Sequence, residues 1–195
     1  MKAMWGIGGL LALSALVGVG YHLAHPAAPA GRTEAAARPT SSPTRGGSTA
    51  PATTASAGPT GTVAPAFQVA SLNAGIIRVP MAKPMVVYFM SAGCGSCISG
   101  EQQLAHVAAQ TSASVQWLSL DVDPGYDTPR AVLSMAQDTG AHWPQAFGTN
   151  AIIQAYHVTQ LDMVAVIAKN GTLLYDGALP SNAQLITLIQ RAEKV

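Results

Sequence analysis

Alternating and continuous apolar runs predict the strands that open an ordered domain. The short alternating runs 67–71 and 76–79 flank Asn73-Ala74-Gly75, and Asn and Gly in so short a connection indicate a β-hairpin. The apolar run Met85–Met90 follows Pro84 and has the length and the β-branched and aromatic content of a buried strand. We therefore expect a hairpin followed by a central strand.

A helical pattern follows this strand and extends to about Gln110. Four apolar residues have the spacing of a buried helix face: Ile98, Leu104, Val107 and Ala108. Four polar residues are expected to point outward or sideways: Glu101, Gln102, Gln103 and His106.

Strand and helix patterns then repeat to the end of the chain. Thr128 before Pro129 predicts a helix start, because the hydroxyl caps the helix and proline tolerates its first position. Ser181 and Gln184 form a capping box for a last helix. The other predicted elements are strands at 115–122, 163–168 and 173–175, a turn at 169–172 and a short helix at 150–156. The order βαβα and then ββα predicts an α/β fold with a central mixed β-sheet, helices on both faces and a preceding N-terminal hairpin.

Residues 1–24 predict a signal anchor. Lys2 precedes an apolar stretch over 5–21, which is close to the ~20 residues that span a bilayer. Positive charge before this stretch places the N-terminus in the cytoplasm and the rest of the chain outside. Ala28-Pro29-Ala30 resembles a cleavage signal, so the alternative is a secreted protein. Both readings export the domain to a compartment where disulfides persist.

Residues 25–65 predict a disordered tether. This stretch is rich in Ala, Pro, Thr, Ser and Gly, and it has almost no large apolar side chain to bury. Burial therefore cannot offset the entropy cost of ordering it. The domain is expected to occupy residues 66–195.

Charge argues against one class of partner. The chain of 195 residues has a formal net charge of +1 and no basic run. Nucleic-acid-binding proteins concentrate basic residues for phosphate contacts, so we expect no nucleic-acid partner.

The candidate chemistry lies directly after the predicted strand Met85–Met90. Cys94-Gly95-Ser96-Cys97 contains the two cysteines of the chain, at the start of the predicted helix. Free backbone N–H groups and the helix dipole stabilise a thiolate there, so Cys94 should ionise more readily than a free cysteine of pKa ~8.5. Cys97, one turn further on, is placed to close a disulfide. A structural bridge and half of a zinc site are the alternatives, although the five histidines form no suitable pair near the dithiol.

The chain from about residue 64 onward resembles the thioredoxin superfamily. Ala64-Pro65-Ala66-Phe67, Lys83-Pro84 and Cys94-Gly95-Ser96-Cys97 are similar to membrane-tethered thiol-disulfide oxidoreductases of the TlpA/ResA type. This resemblance implies a thioredoxin-like fold and catalytic Cys94 and Cys97, with a redox-active disulfide and no other cofactor. It also implies a client groove formed by Gly93, Gly95, Ser96, Gln160, Leu161 and Asp162.

A second resemblance is to the Sco/SenC group of copper-site assembly factors. It rests on residues 119–124, on Asp127-Thr128-Pro129 and on Tyr156-His157-Val158. This resemblance implies copper binding by Cys94 and Cys97, with Met163 or His157 as further ligands. Soft Cu(I) prefers thiolate and thioether donors.

Three positions depart from the thioredoxin pattern. Gly93 replaces a tryptophan before the first cysteine, Tyr88 replaces a buried acid, and Asp162 replaces a cis-proline. We expect a trans bond at Asp162, because a cis bond without proline costs ~2.5–4 kcal/mol. Asp162 is expected either to face the sulfurs, which disfavours a thiolate, or to point to solvent or cap a backbone N–H.

The resemblances lead to two main functional hypotheses. The first is a single-pass protein of the bacterial inner membrane that exchanges disulfides in the periplasm. Its partners would be cysteine-containing clients, in cytochrome c or copper-oxidase maturation, and a membrane or periplasmic electron donor. The second is a copper chaperone that uses the same cysteines. A third possibility is a domain that binds a partner without turnover.

Overall fold

A computed structural model describes residues 60–195. Strands and helices follow one another in this range in the predicted order, with one additional strand. The strands are β1 (Phe67–Ser71), β2 (Gly75–Val79), β3 (Met85–Met90), β4 (Gln116–Asp121), β5 (Gln145–Phe147), β6 (Met163–Ile167) and β7 (Leu173–Ala178). The helices are α1 (Gly95–Ala108), α2 (Pro129–Thr139), α3 (Asn150–Ala155) and α4 (Asn182–Lys194).

The described strands form one mixed sheet in the order β2-β1-β5-β4-β3-β6-β7. Strand β3 is parallel to β4 and antiparallel to β6. One face of the sheet packs against α1, α2 and α4, and the other packs against α3. The predicted α/β fold and its N-terminal hairpin are confirmed.

The side chains of β3 and β6 alternate between two cores. Tyr88 and Val164 lie in the core that contains Cys97, whereas Phe89 and Met163 lie in the core on the opposite face. A residue's position along these strands therefore decides whether its side chain can approach the cysteines.

The sequence pattern also predicts the helix ends. Thr128 caps α2 with Pro129 in its first turn, and Ser181 and Gln184 form the capping box of α4. Strand β5 was not predicted, because three residues are too few to show the alternation of apolar and polar side chains that indicates a strand. One of the three is the buried polar residue Gln145.

Residues 61–64, which the sequence pattern assigns to the tether, pair with the sheet. The backbone of residues 61–64 pairs with the β6–β7 turn and with the start of β7. Ala64 N donates to Gly171 O at 2.9 Å, and Leu173 N donates to Thr62 O at 2.8 Å. Val63 in this segment is 78% exposed and only the small side chain of Ala64 is buried, so backbone hydrogen bonds that composition does not reveal hold the segment.

The predicted anchor at 1–24 and most of the tether at 25–65 lie outside the described residues. Within residues 60–195, no helix is long and apolar enough to cross a membrane.

Asp176 is a buried carboxylate on β7, in the face of the sheet opposite Cys97. Its side chain is 1% exposed, and its Oδ1 atom has no hydrogen-bond partner. Burial raises the pKa of Asp176 to about 6, although nearby His157 opposes the shift. The charged form is therefore disfavoured in the native state.

We expect Asp176→Asn to stabilise the protein at pH 7.5 by about 1–3 kcal/mol, since a tenfold change in an acid constant is worth about 1.4 kcal/mol. A raised native pKa means that the native state binds more protons between pH ~4 and ~6, so stability falls as pH rises through this window. The gain should therefore vanish near pH 4. Urea unfolding at both pH values measures it, and an equal gain at both would contradict the expectation.

Candidate functional site

The two cysteines lie where β3 passes into α1. Cys94 is the N-cap of α1, and its backbone N–H donates to Ser91 O at 3.1 Å. The two residues form a disulfide. Cys94 is half-buried, whereas Cys97 is 0% exposed. An incoming thiol or disulfide can therefore approach Cys94 and not Cys97.

Hydrogen-bond donors surround the Cys94 sulfur. The Cys97 backbone N–H donates to Cys94 Sγ at 3.2 Å, and Ser96 Oγ lies 3.2 Å from the same sulfur. These contacts and the N-terminus of α1 stabilise negative charge on Cys94 when the disulfide is reduced.

Two carboxylates hold the loop that precedes Cys94. Asp127 Oδ2 accepts from Ser91 Oγ at 2.7 Å and from Ala92 N at 2.9 Å. Asp121 Oδ2 accepts from the same amide at 3.1 Å. The sequence places both acids in the stretch that resembles Sco proteins, but it does not predict these contacts.

The pKa values of the two neighbouring acids shift in opposite directions. Burial raises the pKa of Asp121 to about 6. Burial also opposes ionisation of Asp127, but hydrogen bonds from Ser91 and the backbone prevail and lower its pKa. Asp127 therefore ionises more readily than Asp121, and its carboxylate holds Ser91 and Ala92 just before Cys94.

A tyrosine and a carboxylate meet under the first turn of α1. Tyr88 Oη donates to Asp162 Oδ1 at 2.6 Å and lies 3.1 Å from the carbonyl oxygen of Cys97. Burial, followed by the bond to Asp162, raises the pKa of Tyr88. Tyr88 is 1% exposed and Asp162 is half-buried. The carboxylate of Asp162 accepts from a buried hydroxyl, a contact that neither of the two predicted alternatives included.

The loop before β6 is fixed at Asp162 by its backbone. Asp162 N donates to Phe89 O at 3.0 Å, and Asp162 O accepts from Leu179 N at 2.9 Å. Asp162 has φ +67°, in the left-handed region that Asp tolerates better than most residues. The peptide bonds of Asp162 are trans, as expected, since the one cis peptide bond of the described residues is Val79–Pro80.

Glu101 is the main functional candidate that the sequence pattern misplaced. It was expected to point outward or sideways, but it is 0% exposed. It accepts from Ser119 Oγ at 2.7 Å and from Thr139 Oγ1 at 3.2 Å. Burial raises the pKa of Glu101, and these hydrogen bonds oppose the shift. Its partners come from β4 and α2, so the local pattern gave no sign of them.

Ile98 was expected in the core, but it is 40% exposed beside the disulfide. The buried positions of α1 are Cys97, Gly100, Glu101, Leu104 and Val107. The predicted positions Leu104 and Val107 are buried as expected, and the first turn of the helix buries Cys97 in place of Ile98.

The predicted groove residues lie on two loops. Gly93, Gly95 and Ser96 are exposed around Cys94. Gln160 and Leu161 are exposed in the loop that ends at Asp162. The contact of Asp162 with Tyr88 and of Tyr88 with Cys97 places the two loops beside each other.

The further copper ligands implied by the second resemblance, Met163 and His157, do not lie beside the two cysteines. Met163 is 4% exposed in the core on the face of the sheet opposite Cys97. His157 is exposed after α3 and acts electrostatically on Asp176, which is also on that face. Within residues 60–195, no group of three or more His, Cys, Asp or Glu could hold a metal ion.

Comparisons with known proteins give one curated relative and many similar folds. No protein-family model matches the chain. A Streptomyces lividans protein named "Mercury resistance operon ORF3" is 28% identical over 146 residues, which cover 73% of this chain and 77% of that protein.

The similar solved structures are thioredoxin-like. A thioredoxin-like protein from Aeropyrum pernix has a TM-score of 0.57 at 19% identity and covers 65% of this chain and 89% of its own. A secreted Mycobacterium tuberculosis disulfide oxidoreductase, homologous to DsbE of E. coli, has a TM-score of 0.55 at 18% identity. The match covers 64% of this chain and 95% of that protein. StoA from Bacillus subtilis has a TM-score of 0.55 at 15% identity, and the match covers 65% of this chain and 97% of StoA. The chain has a thioredoxin-like fold.

Proposed function

We propose that this protein is a thiol-disulfide oxidoreductase that exchanges disulfides with client proteins through Cys94 and Cys97. The observation that carries the proposal is the unequal burial of the two sulfurs. Cys94 is accessible at the N-terminus of α1 and has donors around its sulfur, whereas Cys97 is fully buried behind it. Such a pair can attack through one sulfur and resolve through the other.

The proposed reaction has two steps. The Cys94 thiolate attacks one sulfur of a client disulfide, the client S–S bond breaks, and the second client sulfur leaves as a thiolate that takes a proton from solvent. Cys97 then attacks Cys94, the mixed disulfide breaks, and the first client sulfur leaves. Two electrons pass from the cysteines to the client, and an electron donor must later reduce the Cys94–Cys97 bond. The reverse sequence oxidises a client.

Clients would dock on the surface around Cys94. Gly93, Gly95 and Ser96 on one side, and Gln160, Leu161 and Asp162 on the other, form the proposed groove. Exposed Ile98 adds an apolar contact beside the sulfur. Glycine at 93 and 95 leaves the backbone open to a client strand.

We also propose an extracytoplasmic location. The support is the sequence pattern of residues 1–65, which predicts either a retained anchor in a bacterial inner membrane or a cleaved signal. The clients would be cytochrome c or copper-oxidase components, as the TlpA/ResA and Sco resemblances suggest, with a membrane or periplasmic electron donor.

A trapping experiment tests the exchange reaction. The Cys97→Ala variant, expressed with its native N-terminus, should accumulate mixed disulfides through Cys94, because the resolving thiol is gone. Non-reducing electrophoresis and mass spectrometry identify the cross-linked cysteines. The matched control is the double variant Cys94→Ser/Cys97→Ala, which should trap nothing. Equal trapping by both variants, or by neither, contradicts the proposal.

Soft-metal binding by the reduced cysteines is a second candidate. The S. lividans relative, whose name places it in a mercury resistance operon, favours it. Two thiolates suit Hg(II) or Cu(I) by donor type. Met163 and His157 lie toward the opposite face of the sheet and do not complete a copper site with them. Titration of the reduced protein with either ion against a chelator tests this function, and binding that survives in Cys94→Ser/Cys97→Ala contradicts it.

A further inference from the structure

A cavity opens between α1 and α2 beside the disulfide. It has a volume of about 280 Å³, and Ala92 and Ile98 form one of its walls. Ala92 lies two residues before Cys94, and Ile98 directly follows Cys97, so this wall flanks the dithiol in the chain. Ile98 is 40% exposed although its side chain is large and apolar. The cavity therefore lies within reach of a residue that neighbours the reacting cysteine of a client.

Helix α2 provides the opposite wall. Four of its residues, at positions i, i+3, i+4 and i+7, share the face that lines the cavity: Ala131, Ser134, Met135 and Asp138. Side chains on a helix lean toward its N-terminus, and α2 begins just after Asp127, which holds the loop before Cys94. The carboxylate of Asp138 is thus directed along the cavity toward the disulfide.

The lining combines an apolar surface with one negative charge. Ile98, Ala131 and Met135 supply the apolar surface, and the exposed Asp138 supplies the charge. In the part of the chain that the structure describes, no hydrogen bond or ion pair occupies the Asp138 carboxylate. Such a lining complements a long side chain with an apolar stem and a cationic head. Lysine and arginine are built in this way, since they bury their methylene groups and keep the charge at the tip.

The cavity is distinct from the proposed client groove. Cys94 follows β3, which has β4 on one side and β6 on the other. The groove residues 160–162 belong to the loop before β6, whereas α2 packs against β5, beyond β4. A client that crosses the disulfide can therefore contact the groove on one side of Cys94 and the cavity on the other.

We propose that this cavity is a client subsite for a lysine or arginine that neighbours the reacting cysteine, an inference that rests on the proposed disulfide exchange. The stem of that side chain packs on Ile98 and Met135, and its cationic head pairs with Asp138. Because a docked client covers the cavity, the ion pair is partly buried and is screened less than a pair on an open surface. The subsite therefore selects clients that carry a basic residue beside the cysteine.

Matched peptide disulfides test the proposal. Each peptide carries one cysteine, linked as a disulfide to a chromogenic aromatic thiol, with a single lysine at one of the positions that flank the cysteine. Its counterpart has norleucine there, an uncharged side chain of similar length. Release of the aromatic thiol by the reduced protein at low ionic strength gives the rate. At the position that reaches the cavity, we expect the lysine peptide to react about three- to tenfold faster than its counterpart.

Variants at residue 138 locate the origin of this preference. Asp138→Asn should abolish the preference for lysine over norleucine, and Asp138→Lys should instead favour a peptide with glutamate at the same position. Glu193→Gln is the matched control, because it removes the same charge near the end of α4 and does not line the cavity. It should keep the preference. Absence of a lysine preference at every position, or a preference that survives in Asp138→Asn, overturns the proposal.

Binding without exchange separates this inference from the proposed function. A lysine peptide with serine in place of cysteine cannot react, and NMR shifts of backbone amides report its binding to the oxidised protein. Shifts at Ile98 and residues 131–138 that require the lysine support the subsite, even if no peptide exchanges its disulfide and the proposed function fails. Exchange through Cys94 without these shifts and without a lysine preference overturns the subsite and leaves the function standing.

Discussion

Cys94→Ser is expected to reduce the catalytic exchange of protein disulfides by on the order of 10⁴-fold or more, because it removes the attacking sulfur. Cys97 cannot replace it, since its sulfur is 0% exposed. The fold should survive, because the bridge spans four residues and contributes only about 2 kcal/mol by loop closure.

The measurement is the rate at which the reduced protein reduces a disulfide-containing protein under excess donor. Ser96→Ala is the comparison that keeps both sulfurs, and it should lose far less because it removes one contact to Cys94 Sγ. Turnover by Cys94→Ser within tenfold of the unaltered protein would show that Cys94 is not the nucleophile.

Gly100→Ala is expected to destabilise the protein by about 1–3 kcal/mol, although alanine favours a helix over glycine by ~1 kcal/mol. The added Cβ overlaps Tyr88 Oη and Asp162 Oδ1, so α1 must shift or the hydrogen bond between them must break.

Gly95→Ala is the matched control in the same helix, because a Cβ atom there would meet nothing within 4 Å. Urea unfolding compares the two variants. Gly95→Ala should be neutral or slightly stabilising. If Gly100→Ala is as stable as this control, the side chains of Tyr88 and Asp162 move aside for the added Cβ without lowering the free energy of unfolding.

The hairpin, the dithiol at the start of α1 and the helix caps could be predicted because each depends on residues close in sequence. Strand β3 is apolar throughout, and Thr128-Pro129 is a local signal for α2. Glu101 could not be placed in this way. Its buried partners Ser119 and Thr139 lie 18 and 38 residues further along the chain, and only the fold brings them together.

The candidate site shows the same limit. The resemblance places Asp162 in the loop beside the cysteines, and the structure agrees. The direction of its side chain depends on φ at Asp162, on the absence of a side chain at Gly100 and on a hydroxyl from β3. No local pattern contains these three residues, so their contact follows only from packing.

Residues 61–64 pair with one end of the sheet. These residues bond to Gly171 and Leu173, at the end of the sheet where Met85 pairs with Ile167. Cys94 follows Met90 at the far end of β3, which is roughly 17–20 Å away along six residues. Residues 61–64 and the reactive sulfur therefore lie at opposite ends of β3. A protein that binds at residues 61–64 would therefore leave the reactive sulfur free for a second protein to reach.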